Sequence, residues 1–507
     1  MQHPKSPSPS LALFATIAFM ALTLIGCQQA ETGNTAPGST NANAAPATTG
    51  KIAITTSSDE ARKEFLAGRD LQEKLRATDS IQHFDKAISL DPNFALAELN
   101  RAGVSPTGKE FFEHLNKAVA LADKASDGER MLIQATEAGA NANPTKQKDI
   151  LEKLVAAYPN DERAHFNLGG YYFGQQDFKQ AITHYKRATE LEPKYSTAFN
   201  ILGYAYRQDD NYTDAETAFK KYIELIPNDP NPYDSYAELL LKMGRFDEAI
   251  SQYNKALSIE PNFVNSHFGI AAALTYQGKT ADAQAELQKL TDKARNDGER
   301  RTALFGQMVV AADSGKLDQA LDEIQKQYAL GEKTGDVPAM TGDLQLKGNV
   351  LLEMGRSADA KQAFEQELKL TNDSNLSKEI KDNAALFHHY NLARVALSQH
   401  DLETAKKEQA EFLQGSQTAQ NSGQIKQAHE LAGMIALQEK NYDQAITELG
   451  QGNQQNPQDL YWLGQAYQGK GDAAKAKESF TKAAKFNSLP ALNYALVRTK
   501  AEKAIAS

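Results

Sequence analysis

Four prolines set the terms on which this chain can fold. Pro159, Pro193, Pro227 and Pro261 stand 34 residues apart and close the phrases "LVAAYPND", "ATELEPKY", "YIELIPND" and "ALSIEPNF". A fixed period of this length marks one supersecondary unit repeated, and such a unit buries its apolar face only against its neighbours. The copy "TAFNILGYAYRQDDNYTDAETAFKKYIELIP" carries Leu202, Gly203 and Tyr206, then Ala215, Phe219 and Tyr222. The preceding copy carries Leu168, Gly169, Tyr172, Ala181, Tyr185 and Ala188 at the same offsets. Leu202, Gly203 and Tyr206 share one stripe of a helix, and the second trio forms a matching stripe on the next. "RQDDNYTD" between them is polar, with Asn and Asp suited to a turn and to capping the second helix. The small Gly203 and Ala215 let two backbones approach, and proline ends the second helix.

This grammar resembles the tetratricopeptide repeat, TPR. A first unit runs from about Ala61 to Phe94, with Gly68, Phe84, Ala87 and Pro92. Ala95 to Asp161 has space for two more, the earlier one degenerate through "NRAGVSPTGKEFF". Regular units start near Glu162, Ser196, Pro230 and Val264. Beyond Lys289 the units lengthen: Ala320 and Ala360, then Ala405 and Ala445, are 40 residues apart. The last unit has Leu463, Gly464, Tyr467, Ala476, Phe480 and Ala483, and "ALNYALVRTKAEKA" reads as a terminal capping helix. The expected fold is all-α, with about twelve helix–turn–helix units. The resemblance implies a right-handed superhelical solenoid. The expected divisions are partly degenerate units over 59–161, regular units over 162–297, longer units over 298–425, and C-terminal units with the cap over 426–507.

Two near misses to a phosphate-binding loop fall inside this pattern. "GQAYQGKG" has Gly464, Gly469 and Lys470, but Gly471 stands where a hydroxyl should hold magnesium; "ALTYQGKT" begins on Ala273 instead of Gly. A phosphate loop follows a strand, and both sites sit between helical stripes, so both read as turns. "HELAG" at His429 puts Gly433 where a zinc-protease helix needs its second His, and His388 and His389 point about 100° apart on a helix. No catalytic constellation, metal site or cofactor is expected.

The N-terminus reads differently. Lys5 precedes the uncharged "LALFATIAFMALTLIG", which stops at Cys27, the single cysteine of the chain. A basic start, an apolar core of about 15 residues and small residues at its end outline a signal peptide over 1–26. "LIGC" resembles the lipobox of bacterial lipoproteins, which implies cleavage before Cys27, a diacylglycerol on its sulfur, and stable anchoring by several acyl chains. Gln28, rather than Asp, by that resemblance favours the outer membrane. One cysteine excludes intramolecular disulfides. From Gln28 the chain turns small and polar, and residues 27–58 read as the lipidated cysteine and a disordered tether. Its flexible part would reach roughly 25–30 Å. The expected location is the bacterial envelope, facing the periplasm. A net charge of -10 makes the chain a poor partner for nucleic acid.

In TPR solenoids the first helix of each unit lines the concave groove. By that resemblance the groove would show Phe166, Asn200, Tyr204, Arg207, Asp234, Glu238, Phe268, Phe305, Asn349, Tyr390, Arg394, Tyr461 and Gln465. The set is rich in aromatics, which offer contact area at low entropy cost. The expectation is a non-catalytic scaffold that binds an envelope protein or peptide there. A second expectation is a carbohydrate- or peptidoglycan-binding lipoprotein, with Phe268, Tyr390 and Tyr461 stacking on sugars. An enzyme with its site between Arg101 and Asn143 is the third.

Overall fold

The computed structural model describes residues 50–74 and 76–506. The signal peptide, Cys27 and most of the tether lie outside the described residues. The described residues form twelve antiparallel helix pairs. The first three are α1 and α2 (Asp59–Glu73, Ala77–Leu90), α3 and α4 (Ala95–Gly103, Gly108–Leu121), and α5 and α6 (Asp127–Ala140, Pro144–Ala157). The regular series follows as α7 and α8 (Glu162–Gly174, Phe178–Leu191), α9 and α10 (Ser196–Gln208, Tyr212–Leu225), α11 and α12 (Asn231–Lys242, Phe246–Ile259), and α13 and α14 (Val264–Tyr276, Thr280–Lys293). Longer pairs come next: α15 and α16 (Asp297–Asp313, Leu317–Thr334), α17 and α18 (Val337–Glu353, Ser357–Asp373), and α19 and α20 (Lys378–Ser398, Leu402–Thr418). The series ends with α21 and α22 (Ser422–Gln438, Tyr442–Gln451), then α23 and α24 (Pro457–Lys470, Ala473–Ala484). Two short pieces, α25 (Leu492–Ala495) and α26 (Arg498–Ala506), close the chain. No helix among the described residues is long and apolar enough to cross a membrane.

Several pairs are closed by a glycine of the first helix set against a ring of the second. A Cβ on Gly203 would lie 2.8 Å from the Phe219 ring, and one on Gly464 would lie 2.6 Å from Phe480. The turns inside the regular pairs repeat as well. Gln176, Asp210, Gly244 and Gly278, each 34 residues after the last, all take positive φ. Gly278, at φ +77°, is the glycine of "ALTYQGKT", and Gly471, at φ +86°, is that of "GQAYQGKG". Gly278 and Gly471 are therefore left-handed helix ends, where glycine carries no steric penalty, and Gly469-Lys470 is the last turn of α23.

Odd-numbered helices touch one another across units, α9 on α11, α11 on α13, α13 on α15 and α17 on α19, which puts them on the inside of the curve. The curve closes on itself. Gly108 at the start of α4 sits against Pro338, with its Cβ position 2.9 Å from that ring. Ser377 bonds Asn141 at 2.9 Å, and Ser422 and Lys426 bond Gln175 and Gln176 at 2.5 and 2.9 Å. These contacts join unit two to nine, three to ten and four to eleven, so a superhelical turn takes about seven units and the turns rest on each other.

Two sequence expectations need correction. The tether does not extend to residue 58. Ile52 and Thr55 donate backbone N–H groups to Asp161 and Glu129 at 2.9 and 2.8 Å, and Ser57 does the same to Asp91 at 2.8 Å. Asp91 at the end of α2, Glu129 in the first turn of α5 and Asp161 at the N-cap of α7 thus hold residues 52–57 in place. Nor is the C-terminal cap one helix. The chain breaks at Leu496 and Val497; α26 packs on the last unit, with Ala501 against Leu460, Ala483 and Ala484, while α25 lies between α23 and α15.

Candidate functional site

The inner helices carry the expected groove residues, yet several of them are interior. Asn200, Asp234 and Phe268 are each 1% exposed, and Tyr390 is 7% exposed. Phe166 leans on the rings of Tyr185 and Tyr195, with centroids at 5.5 and 5.3 Å. Phe268 stacks on Phe305 at 6.2 Å. Gln465 is exposed and donates weakly to the half-buried Tyr461. Of the three rings expected to stack on sugar, Phe268 and Tyr390 have no open face.

The polar residues gather into two groups. In the first, Arg207 bonds Glu238 at 3.1 Å and lies 4.7 Å from the centre of the Tyr204 ring. Asp234, one helical turn before Glu238, accepts from Ser266 at 2.7 Å. Burial, and then the charge of Glu238, push the Asp234 carboxyl well above the usual carboxylate range. Neither amide atom of Asn200 meets a protein partner among the described residues. In the second group, Arg394 donates to Asn349 at 2.6 Å and covers the Tyr390 ring, whose hydroxyl donates to Glu430 at 2.7 Å. Both groups bind side chains of adjacent units to each other.

The histidines of the near-miss motifs serve the pairs. His429 bonds Glu448 at 2.7 Å and His389 bonds Glu408 at 2.6 Å, each joining the first helix of a unit to the second. Among the described residues no group of His, Cys, Asp or Glu is arranged to hold a metal. The same device recurs buried at His267 and Glu286. Burial alone would raise Glu286, but hydrogen bonds from His267 and Lys289 outweigh it and hold the carboxyl at about 2. A depressed carboxylate stabilises the fold above its unfolded value, and that contribution disappears as pH falls through the folded one. Replacing Glu286 with Gln should therefore lower the melting temperature most above about pH 4.5, with the gap to the parent closing towards pH 2. A gap independent of pH would show that the pair is not what stabilises this contact.

One occupant of the inner face was not expected from the sequence. Residues 486–497 leave the last unit and cross to α11, α13 and α15. Lys242 donates to the Phe486 carbonyl at 2.9 Å, and the Tyr276 hydroxyl donates to the Ser488 carbonyl. Leu492, Ala495 and Leu496 join Met308, Val309 and Val350 in one apolar cluster, with Phe305 packed against it. The run "LPALNYALV" was the available signal: it is too uniformly apolar for a cap that faces solvent on one side.

The geometry is that of an all-α solenoid of stacked helix pairs, whose inner faces form one continuous lining. The tetratricopeptide repeat family matches residues 171–230, 240–304 and 460–488. The chain carries tetratricopeptide repeats. Proteins with such repeats are generally protein-interaction scaffolds without chemistry of their own. No curated protein matches the chain. Among solved structures, MamA is 23% identical over 33% of this chain and 91% of its own, with a TM-score of 0.28. A thermophilic TPR protein of Thermus thermophilus is 21% identical over 42% of this chain and 98% of its own, at TM-score 0.28. A tetratricopeptide repeat protein of Parabacteroides merdae is 16% identical over 56% and 98%, at TM-score 0.36.

Proposed function

We propose that this chain is a lipid-anchored scaffold of the bacterial envelope, held to the outer membrane through Cys27, which binds a protein or peptide partner on its inner face and catalyses nothing. The observation that carries the binding part is the capture of the chain's own C-terminal segment by that face: side chains of α11 and α13 donate to its backbone carbonyls while apolar neighbours take its side chains. A surface that does this for one peptide has the chemistry to do it for another. The envelope part is supported by the run from Lys5 to Cys27 and the tetrad "LIGC".

Crosslinking of the lipidated chain in intact cells, followed by identification of what copurifies, tests the scaffold reading. A protein that copurifies with the parent and is lost on substituting inner-face residues supports it; recovery of wall glycan alone would sink it. Cys27→Ser tests the anchor separately. Fractionation should move the protein from the membrane pellet to the soluble fraction, with its helical circular dichroism unchanged. Continued sedimentation with membranes would show that lipid on Cys27 is not what holds it.

A further inference from the structure

The terminal segment is bound in the manner of a ligand. A cap shields the last unit, and α26 does so with help from Phe486, Asn493 and Tyr494, but residues 486–497 also reach well beyond that unit. From Phe486 to Ala491 the chain is not helical, so the carbonyls of Phe486 and Ser488 are open to Lys242 and Tyr276. Leu489 packs against the apolar clusters of α11 to α14. The seam is tight: the cavity lined by Tyr276, Val309, Pro490 and Tyr494 offers a water about 10 Å³, at or below what one water needs. Beyond the apolar run, Arg498 reaches Asp313 with Nε at 2.7 Å and Nη2 at 2.5 Å, one on each oxygen. Its guanidinium stands 5.6 Å from the centre of the Tyr276 ring. Arg498 is 8% and Asp313 7% exposed, so this forked pair is closed off from water. Backbone capture, apolar pockets and one forked ion pair together are a complete set of peptide-recognition contacts.

We propose that the inner face of α11, α13, α15 and α17 is a peptide-docking surface, occupied by residues 486–498 of its own chain, which takes in their place a partner segment of the same chemistry: apolar side chains spaced as Leu492, Ala495 and Leu496, then an arginine for Asp313. This rests on the scaffold reading above and specifies its site. The twelve helix pairs form without the segment, which continues from the last of them after Ala484 and touches that unit through Phe486, Asn493 and Tyr494. Displacing it therefore leaves the solenoid's own pairs intact.

A labelled synthetic peptide of residues 486–506 tests this in trans, titrated by fluorescence anisotropy into the full chain and into full-length Arg498→Glu. Loss of the forked pair frees the face, so Arg498→Glu should bind the peptide at least tenfold more tightly than the parent. Adding Asp313→Arg should abolish that uptake, because the reversed pair re-forms within the chain and repels the peptide's arginine. Equal binding by parent and variant, or none by a variant that melts cooperatively, would overturn the proposal. Dimerisation of the variant without peptide uptake would overturn it too, assigning the face to a second copy. Should Arg498→Glu fail to fold, hydrogen exchange on the parent decides. Excess peptide, but not a scrambled one, should raise exchange across residues 486–498; unchanged exchange counts against the surface. Negative results here beside a partner recovered by crosslinking would leave the scaffold reading standing and reduce the segment to a clasp.

Discussion

Asp313→Ala lowers the stability of this protein by about 3–5 kcal/mol, the loss expected when one member of a buried ion pair is removed and the other stays unpaired. Arg498 then keeps its guanidinium among Tyr276, Tyr494 and the apolar inner face. Glu502, at 2.9 Å from Nη1, is half exposed and holds only one side of the fork. The loss is local at first, because a repeat array need not unfold in one step. It is best read as faster hydrogen exchange in residues 486–506 and in α15, and then as a lower denaturant midpoint. Asp313→Ala combined with Arg498→Met should recover much of it, since apolar replacement of a whole buried pair is often neutral. A single variant as stable as the parent would mean that the pair is hydrated.

Phe219→Ala should destabilise by a similar amount, about 3–5 kcal/mol, as large-to-small changes at fully buried rings do. Phe219 is fully buried and fills the space that Gly203 leaves open. The reverse insult, Gly203→Leu, overpacks the same contact and should cost about 1–3 kcal/mol. Because the two sites share one volume, the effects should not add. The double variant should be more stable than the sum of the losses predicts, through the leucine entering the cavity. Strict additivity of the denaturant midpoints would place the two side chains apart and contradict the pairing of α9 with α10.

The regular part of the fold was legible because its causes are local. The proline period, the small residue facing a ring sixteen places on, and the Asn or Asp capping the second helix all lie within one unit. The near-miss phosphate loops were legible as turns for the same reason. What escaped was long-range. Asn200, Asp234, Phe268 and Tyr390 are offset as groove residues, but neighbouring units cover them. "ALNYALVRTKAEKA" has the spacing of one helix, yet the partner of Arg498 lies 185 residues away, beyond any window of periodicity. Residues 52–57 look like tether by composition, and only the acidic helix ends at Asp91, Glu129 and Asp161 reveal that they are held. Curvature is a sum of small rotations between units, and no single unit displays it.

That curvature gives the molecule a mechanical character. An open solenoid whose units touch only their neighbours is a soft spring, and it lengthens under small loads by flexing at every joint. Here unit two rests on nine, three on ten and four on eleven. Pulled from its ends, the coil resists until those seams part, and only then extends freely. A chain tethered at one end and loaded at the other would behave as a latch with a threshold, stiff below it and compliant above.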